Sequence, residues 1–386
     1  MSTTPEPACA RTPGGVQVLH IGPDMYGPGG MPAVIRTLMA SSLAERYGFS
    51  FLRTYGSPRR AKRLLTFGRS MLDLAAWCRG SGDRVVHIHT ATRGSWYRKA
   101  TAAALVKGLG RPAVLHFHAG AGDIRAFEQR LGPVRLGLMR WAFSKADGVI
   151  AVSAASAAEV GRIFGIEEVE VVPNFAPSVD VAATGRLPES PRPTILYLGG
   201  FANPAKGGDV LLDALAAVLV ADPEVEVLLA GPGEPPAAAE ALLRSPRVRW
   251  AGYLVAEPWA AAMREAQIFV MPSVSEGMPV ALLEAMSYGL AIVATRVGGI
   301  PEVAEHGVNA VLVEPRDSAA LALAVGELLA DPELRGELGR AARERAERVN
   351  DGAVLGQLEA VYRTVVTPAR GRIRPLPCAA MSADAA

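Results

Sequence analysis

The 386-residue sequence predicts an α/β protein built from two doubly wound domains that face a cleft. Three observations carry that expectation. Short apolar runs alternate with helical patterns along most of the chain, as stacked βαβ units require. The length exceeds what a single core ordinarily serves. The charge also divides in two: residues 1–185 hold 22 Lys/Arg and 13 Asp/Glu, a balance of +9, whereas residues 186–386 hold 18 and 25, a balance of −7.

In chain order, residues 1–14 read as a disordered tail that lacks the apolar core of a signal peptide. The first domain, 15–183, has strand candidates at Val16–Ile21, Arg84–His89, Ala113–His118, Gly148–Val152 and Val169–Val172, with helical patterns such as Met31–Leu43 and Val134–Ser144 between them. From Ala176 to Pro193 the chain is proline-rich with no apolar run, and a linker is placed at 184–193. The second domain, 194–349, repeats the scheme with strands at Thr194–Leu198, Val225–Ala230, Val248–Ala251, Ile268–Met271, Ala291–Thr295 and Ala310–Val313. Its helices are expected at Val210–Leu219, Pro258–Glu265, Pro279–Ser287, Ser318–Ala330 and Pro332–Val349. A last amphipathic helix, 353–366, is expected to pack back on the first domain, and 367–386 read as a disordered tail.

Composition narrows the function classes. Half the residues are hydrophobic and a fifth charged, so core material is ample. Cys9, Cys78 and Cys378 form neither a disulfide framework nor a metal spacing, which points to a reducing, cytoplasmic setting. Charges interrupt every apolar run before it reaches the length of a membrane span. The segment Pro58–Cys78 sets Arg59, Arg60, Lys62, Arg63 and Arg69 beside Leu64, Leu65, Phe67, Met71, Leu74 and Trp77. Such a basic amphipathic helix can lie on an anionic membrane surface, and the commoner alternative is an ordinary helix with a solvated basic face. No recognition module accompanies the charge, so nucleic acid is not an expected partner.

The most informative run is Ser275-Glu276-Gly277-Met278-Pro279-Val280-Ala281-Leu282-Leu283-Glu284-Ala285-Met286. Pro279 suits the first position of a helix, which places Glu276 on the preceding loop and Glu284 on the second turn. The free amides of the 277–281 stretch then make an anion site at the positive end of the helix dipole. Two hydroxyl-accepting carboxylates around an anion site suit a ligand with phosphates at its centre and polyols at each end, which is the layout of a nucleotide sugar. Alternatively, the two acids complement a surface helix dipole.

Four other segments could carry chemistry. Gly27-Pro28-Gly29-Gly30-Met31-Pro32 follows the first strand and opens a helix, but fails the dinucleotide fingerprint spacing. His116 and His118 share one strand face, as do His87 and His89, so a metal site and a satisfied polar core both remain open. His118 ends its strand and is expected to point into the cleft. Val172-Pro173-Asn174-Phe175 reads more safely as a turn than as a ligand contact. In Leu198-Gly199-Gly200-Phe201-Ala202-Asn203-Pro204-Ala205-Lys206, glycines allow close backbone approach and Lys206 is placed to meet a diphosphate.

Taken in order, and above all through Val270–Glu302 with its Glu-x7-Glu and Val297-Gly298-Gly299-Ile300-Pro301-Glu302, these segments resemble the retaining glycosyltransferases of family four, which have the GT-B fold of two Rossmann-like domains. The match runs from about Val16 to Val349, and the first half looks most like members that build capsular or exopolysaccharide repeats. The resemblance implies transfer of a hexose from a UDP- or GDP-sugar to a saccharide or polyprenyl-linked saccharide, without metal or other cofactor. It places Glu276 on the transferred sugar, Glu284 on the ribose, and Gly277, Met278, Pro279 and Val280 beside the sugar and diphosphate. Lys206 would neutralise the phosphates with Gly29, Gly30 and Gly199 nearby, and His118 would sit at the reacting carbon. A lipid-linked acceptor would explain a peripheral attachment to the inner membrane face through Pro58–Cys78. The alternatives are a nucleotide-sugar epimerase or sugar-phosphate synthase of the same fold and, more remotely, a metal hydrolase built on the histidines. One departure stands out: Gly200 occupies the place of the family's usual arginine.

Overall fold

The computed structural model describes residues 15–27, 29–55, 60–92, 94–176, 192–349 and 351–366. The expected tails, most of the linker, Pro28, Pro58 and Arg59 lie outside these, as do the side chains of Arg60 and Lys62.

The first unit runs β1 (Gln17–Pro23), α1 (Gly30–Met39), α2 (Ser42–Arg46), β2 (Ser50–Tyr55), α3 (Arg60–Arg79), β3 (Arg84–Thr90), α4 (Gly94–Gly108), β4 (Ala113–Phe117), α5 (Ala121–Glu128), α6 (Pro133–Phe143), β5 (Gly148–Ala151), α7 (Ala154–Phe164) and β6 (Glu170–Val171). The second runs β7 (Thr194–Tyr197), α8 (Gly208–Ala221), β8 (Glu226–Leu229), α9 (Glu240–Leu243), β9 (Val248–Trp250), α10 (Glu257–Glu265), β10 (Ile268–Met271), α11 (Val280–Ser287), β11 (Ala291–Thr295), α12 (Ile300–Val303), β12 (Val311–Val313), α13 (Ser318–Ala330) and α14 (Pro332–Arg348). The last helix, α15, spans Asp351–Val366.

Each unit holds a six-stranded parallel sheet, ordered β2-β1-β3-β4-β5-β6 and β12-β11-β10-β7-β8-β9. Strand order reverses between β1 and β3 in the first sheet and between β7 and β10 in the second. In open α/β sheets, ligands bind at such reversals, beyond the carboxyl ends of the strands. The loops after β1, β7 and β10 are those that carry Gly29–Gly30, Gly199–Lys206 and Ser275–Gly277.

Both faces of the central strands are covered, so these strands are largely apolar, with Val18, Ile21, Val85, Ile88, Val114, Leu115, Ile195, Leu196, Val270 and Val293 almost fully buried. α15 packs on the first sheet, where Val354, Leu355, Leu358 and Tyr362 join Val18, Val85, Val114 and Ile150 in one cluster. Glu359 is held there by Arg46 at 2.8 Å and by the Tyr47 hydroxyl at 3.1 Å.

Three local expectations are corrected. Ser50–Tyr55 is a parallel strand beside β1, missed because Arg53 and Thr54 break its apolar run at the sheet edge. The helix expected over Met31–Leu43 stops at Met39 and restarts at Ser42. Pro279 caps α11 from outside, in extended conformation (φ −75°, ψ 117°), rather than occupying its first turn.

Candidate active site

The second sheet supplies an acid and a base at its reversal point. Beyond β7 the chain turns through Gly199 and Gly200, and the Tyr197 hydroxyl donates to the Gly200 carbonyl at 2.8 Å and to the Lys206 carbonyl at 3.3 Å. Asn203 accepts from the Ala205 amide, and Val274 donates to the Ala205 carbonyl at 2.8 Å, which fixes this loop to the one after β10. Gly207 is left-handed (φ +68°), and a β-carbon there would lie 2.0 Å from the Pro272 carbonyl oxygen, so only glycine lets the loops approach this closely. The result is an ion pair: Lys206 Nζ donates to Glu276 Oε1 at 2.7 Å, and Ser273 Oγ donates to the same oxygen at 2.6 Å. Glu276 is 7% exposed, whereas about a third of the Lys206 side chain is accessible.

A small pocket beside this pair is lined by Gly199, Lys206, Ser273 and Ala281. Ala281 belongs to the first turn of α11, where the amides have no intrahelical carbonyl to meet. An anion in the pocket would meet both the helix dipole and the ammonium group. Met278 and Val280 are themselves buried, at 4% and 7% exposure, so only their backbone can face a ligand.

Gly200 has φ +61°, and a β-carbon on it would fall 2.3 Å from the Pro232 oxygen. No side chain fits there, so the absent arginine is a consequence of the loop's path. Gly200→Arg is therefore expected to lower the melting temperature by several degrees without raising turnover, as a thermal melt and a rate measurement would show.

Glu284 stands on α11 where that helix packs against α1, and Gly29 (φ +116°) and Gly30 open α1. Burial pushes the Glu284 carboxyl up from 4.5 to about 7, with Arg36 of α1 offsetting part of the rise. The folded protein thus holds a proton that the unfolded chain has already released, and stability from this group falls as pH climbs from about 4.5 to 7. Urea unfolding is expected to show a loss of roughly 3 kcal/mol across that window, an upper bound that Glu284→Gln removes.

The first domain presses on the site from the other side. His118 follows β4, and its carbonyl would lie 2.6 Å from a β-carbon on Gly277. A β-carbon on Gly120 would lie 2.3 Å from the Glu276 carbonyl oxygen, and one on Gly299 would lie 2.9 Å from Ser153 Cβ. Glu302 accepts from the Ala154 and Ala155 amides at 3.1 and 3.4 Å, capping α7 across the domain boundary. Asn174 is 5% exposed and donates to the Met278 carbonyl at 2.6 Å. It joins the domains beside the cleft loop and is not merely a turn residue. No role was expected of Gly120, Ser273 or Ser275; the signal for the two serines was only that they flank the acidic motif, and for Gly120 that it follows the His118 strand end.

His118 corrects an expectation in part. Its backbone reaches the cleft, but its ring turns back into the sheet, where Nε2 meets Nδ1 of His89 at 2.9 Å. His20 of β1 joins the four histidines anticipated, and all five rings lie on one face of β1, β3 and β4. Ring nitrogens of His20, His87 and His89, and of His89, His116 and His118, fall within 4.8 Å of one another.

Two doubly wound domains meeting at a cleft, with a buried acid, a lysine and a helix N-terminus at one strand reversal, define a protein of the GT-B class. Solved structures agree on the fold. Sucrose-phosphate synthase from Thermosynechococcus elongatus superposes with a TM-score of 0.72 at 22% identity, covering 90% of this chain and 98% of its own. Anabaena HepE, in complex with UDP and glucose, gives 0.68 at 18% identity, covering 92% and 100%. The family profile for Glycosyltransferase Family 4 matches residues 36–177, and that for Glycosyl transferases group 1 matches residues 192–331. A phosphatidyl-myo-inositol mannosyltransferase of Mycolicibacterium smegmatis is 31% identical over 293 residues, 75% of this chain and 73% of that protein. Its counterpart in Mycobacterium leprae is 33% identical over 240 residues, 60% of this chain and 63% of that protein's length. A D-inositol 3-phosphate glycosyltransferase of Streptomyces griseus is 32% identical over 218 residues, 53% of this chain and 46% of its own. The chain belongs to glycosyltransferase family 4.

Proposed function

We propose that this protein transfers a hexose from a nucleotide diphosphate sugar to a hydroxyl acceptor, with retention of anomeric configuration and without metal or other cofactor. The observation that carries the reading is the Lys206–Glu276–Ser273 constellation beside the α11 N-terminus at the strand reversal. In this reading Glu276 fixes hydroxyls of the transferred sugar, Glu284 accepts from the ribose, and Lys206 with the first amides of α11 takes the charge that grows on the leaving diphosphate. The bond from the anomeric carbon to the phosphate oxygen breaks as the acceptor oxygen attacks the same face. The departing phosphate oxygen takes the acceptor's proton. The first domain binds the acceptor, and the packed domain boundary keeps water out.

The acceptor proposed is a membrane-embedded lipid that bears a saccharide or polyol. Leu64, Leu65 and Leu72 of α3 are each more than 70% exposed on a helix that also carries Arg63 and Arg69, which suits a peripheral contact with anionic lipid. The mycobacterial relatives are named for a phosphatidylinositol substrate, which supports the same reading. Among the described residues no helix is long and apolar enough to cross a membrane.

A thermal-shift series with UDP, GDP and their sugars tests the donor site. A nucleotide at 100 times its Kd is expected to add about 2.7 kcal/mol of stability. No shift with any of them would reject the proposal.

A further inference from the structure

Five of the six histidines in the chain are gathered beneath the cleft, and the transfer chemistry proposed above calls on none of them. Three form a continuous row. His20 Nδ1 lies 3.0 Å from His89 Nε2, and His89 Nδ1 lies 2.9 Å from His118 Nε2. At each end a ring nitrogen is enclosed and meets no partner among the described residues: Nε2 of His20 and Nδ1 of His118.

A neutral imidazole has one N–H and one lone pair, so only two arrangements satisfy both bonds. If every hydrogen sits on Nε2, the row ends in an N–H at His20. That ring is fully buried, 4.3 Å from Phe49 between centroids, and among the described residues none accepts the hydrogen there. If every hydrogen sits on Nδ1, the buried end is a bare lone pair and the N–H appears at His118. Nδ1 of His118 is itself enclosed, but His118 is the one residue of the five not buried as a whole, and its backbone abuts Gly277 of the second domain. Either arrangement leaves one enclosed donor, the costlier kind of defect, and of the two ends only His118, which follows β4 at the cleft, stands where a ligand can relieve it.

We propose that His20 and His89 are positioning residues that hold His118 with its hydrogen on Nδ1, so that this N–H donates to an oxygen of the sugar–diphosphate ligand in the cleft. This rests on the donor-site reading given above. Burial lowers all five rings well below the usual imidazole range, His20 and His118 to about 3, so the donor is a neutral N–H at working pH. His87 braces the row by stacking on His89 with centroids 4.4 Å apart while its Nδ1 meets the Tyr362 hydroxyl at 2.7 Å.

The primary test is nitrogen-15 NMR of the histidine rings in the full-length protein at pH 7, with resonances assigned through His118→Gln and His89→Phe. His118 and His89 protonated on Nδ1 is the expected result; His118 protonated on Nε2 overturns the proposal. So does purified protein that carries a stoichiometric divalent metal on these rings. In kinetics, His89→Phe is expected to lower kcat for hydrolysis of UDP-glucose or GDP-mannose at least tenfold, with KM changed less than threefold. His89→Gln, whose amide can still donate toward His118, is expected to recover most of that loss. Wild-type rates in His89→Phe, or equal losses in both variants, overturn the positioning role. If neither donor is bound or cleaved by the wild type, the donor-site reading fails, while the NMR result still decides the tautomer.

Discussion

Glu276→Gln is expected to slow donor cleavage about 10²–10³-fold, the usual effect of removing one preorganised polar group from a dry site. The carboxylate is engaged twice, by Lys206 at 2.7 Å and Ser273 at 2.6 Å, and both are donors. Both bonds end on Oε1, so an amide oxygen there can still accept from both. A neutral amide cannot balance the ammonium charge, however, and replaces the second acceptor oxygen with a donor, so the hold on Lys206 weakens and the sugar contact is lost with it. The fold should survive, because the Lys206 side chain is about one-third exposed and water can take it over. Release of free nucleotide from the donor measures the effect, and a melting temperature within a few degrees of wild type shows that the loss is local. A rate within threefold of wild type would remove Glu276 from the reaction.

The largest stability effect is expected at Gly298→Ala. The residue has φ +55°, and its added methyl would sit 1.8 Å from the Glu276 carbonyl oxygen. The obstacle is backbone on both sides, so no side chain can swing away. Strain in the left-handed region and the overlap together should cost roughly 3 kcal/mol or more. Because the backbone displaced is that of Glu276, donor binding should fall with stability. Gly307→Ala separates the causes: φ there is +76°, but nothing lies within 4 Å, so only the smaller conformational cost of about 1 kcal/mol remains. Urea midpoints for the two variants provide the comparison. Equal losses would mean that the close approach at Gly298 is not what constrains the site.

The fold was largely legible because both sheets are parallel and their central strands are covered on both faces. These strands therefore announce themselves as largely apolar runs, as at Ile268–Met271 and Ala291–Thr295. β2 escaped because an edge strand needs only one buried partner and tolerates Arg53. The acidic pair and Lys206 were legible for a similar reason: each stands at a fixed offset after a strand, where the chain must turn. What local spacing could not reveal was contact between distant parts of the chain, within a domain or across the two. The Asn174 bond to Met278, the Glu302 cap on α7 and the path of Gly200 past Pro232 all join residues that only the folded chain brings together. His20 belongs with these, since its partners lie on strands about 70 residues away.

The placement of α15 governs the order in which the molecule can be made. Val18, Val85, Val114 and Ile150 are synthesised early, yet the helix that shields them, with Val354, Leu355, Leu358 and Tyr362, is encoded after the entire second domain. During translation the first sheet must wait with that face only partly covered, by Val34, Leu38, Leu43 and Tyr47, while the stretch from Val171 to Asp351, about 180 residues, emerges at ~5–20 per second. For that interval of roughly ten seconds or more the nascent chain presents a sticky parallel sheet, so chaperone dependence should track the first domain, although the second is finished later.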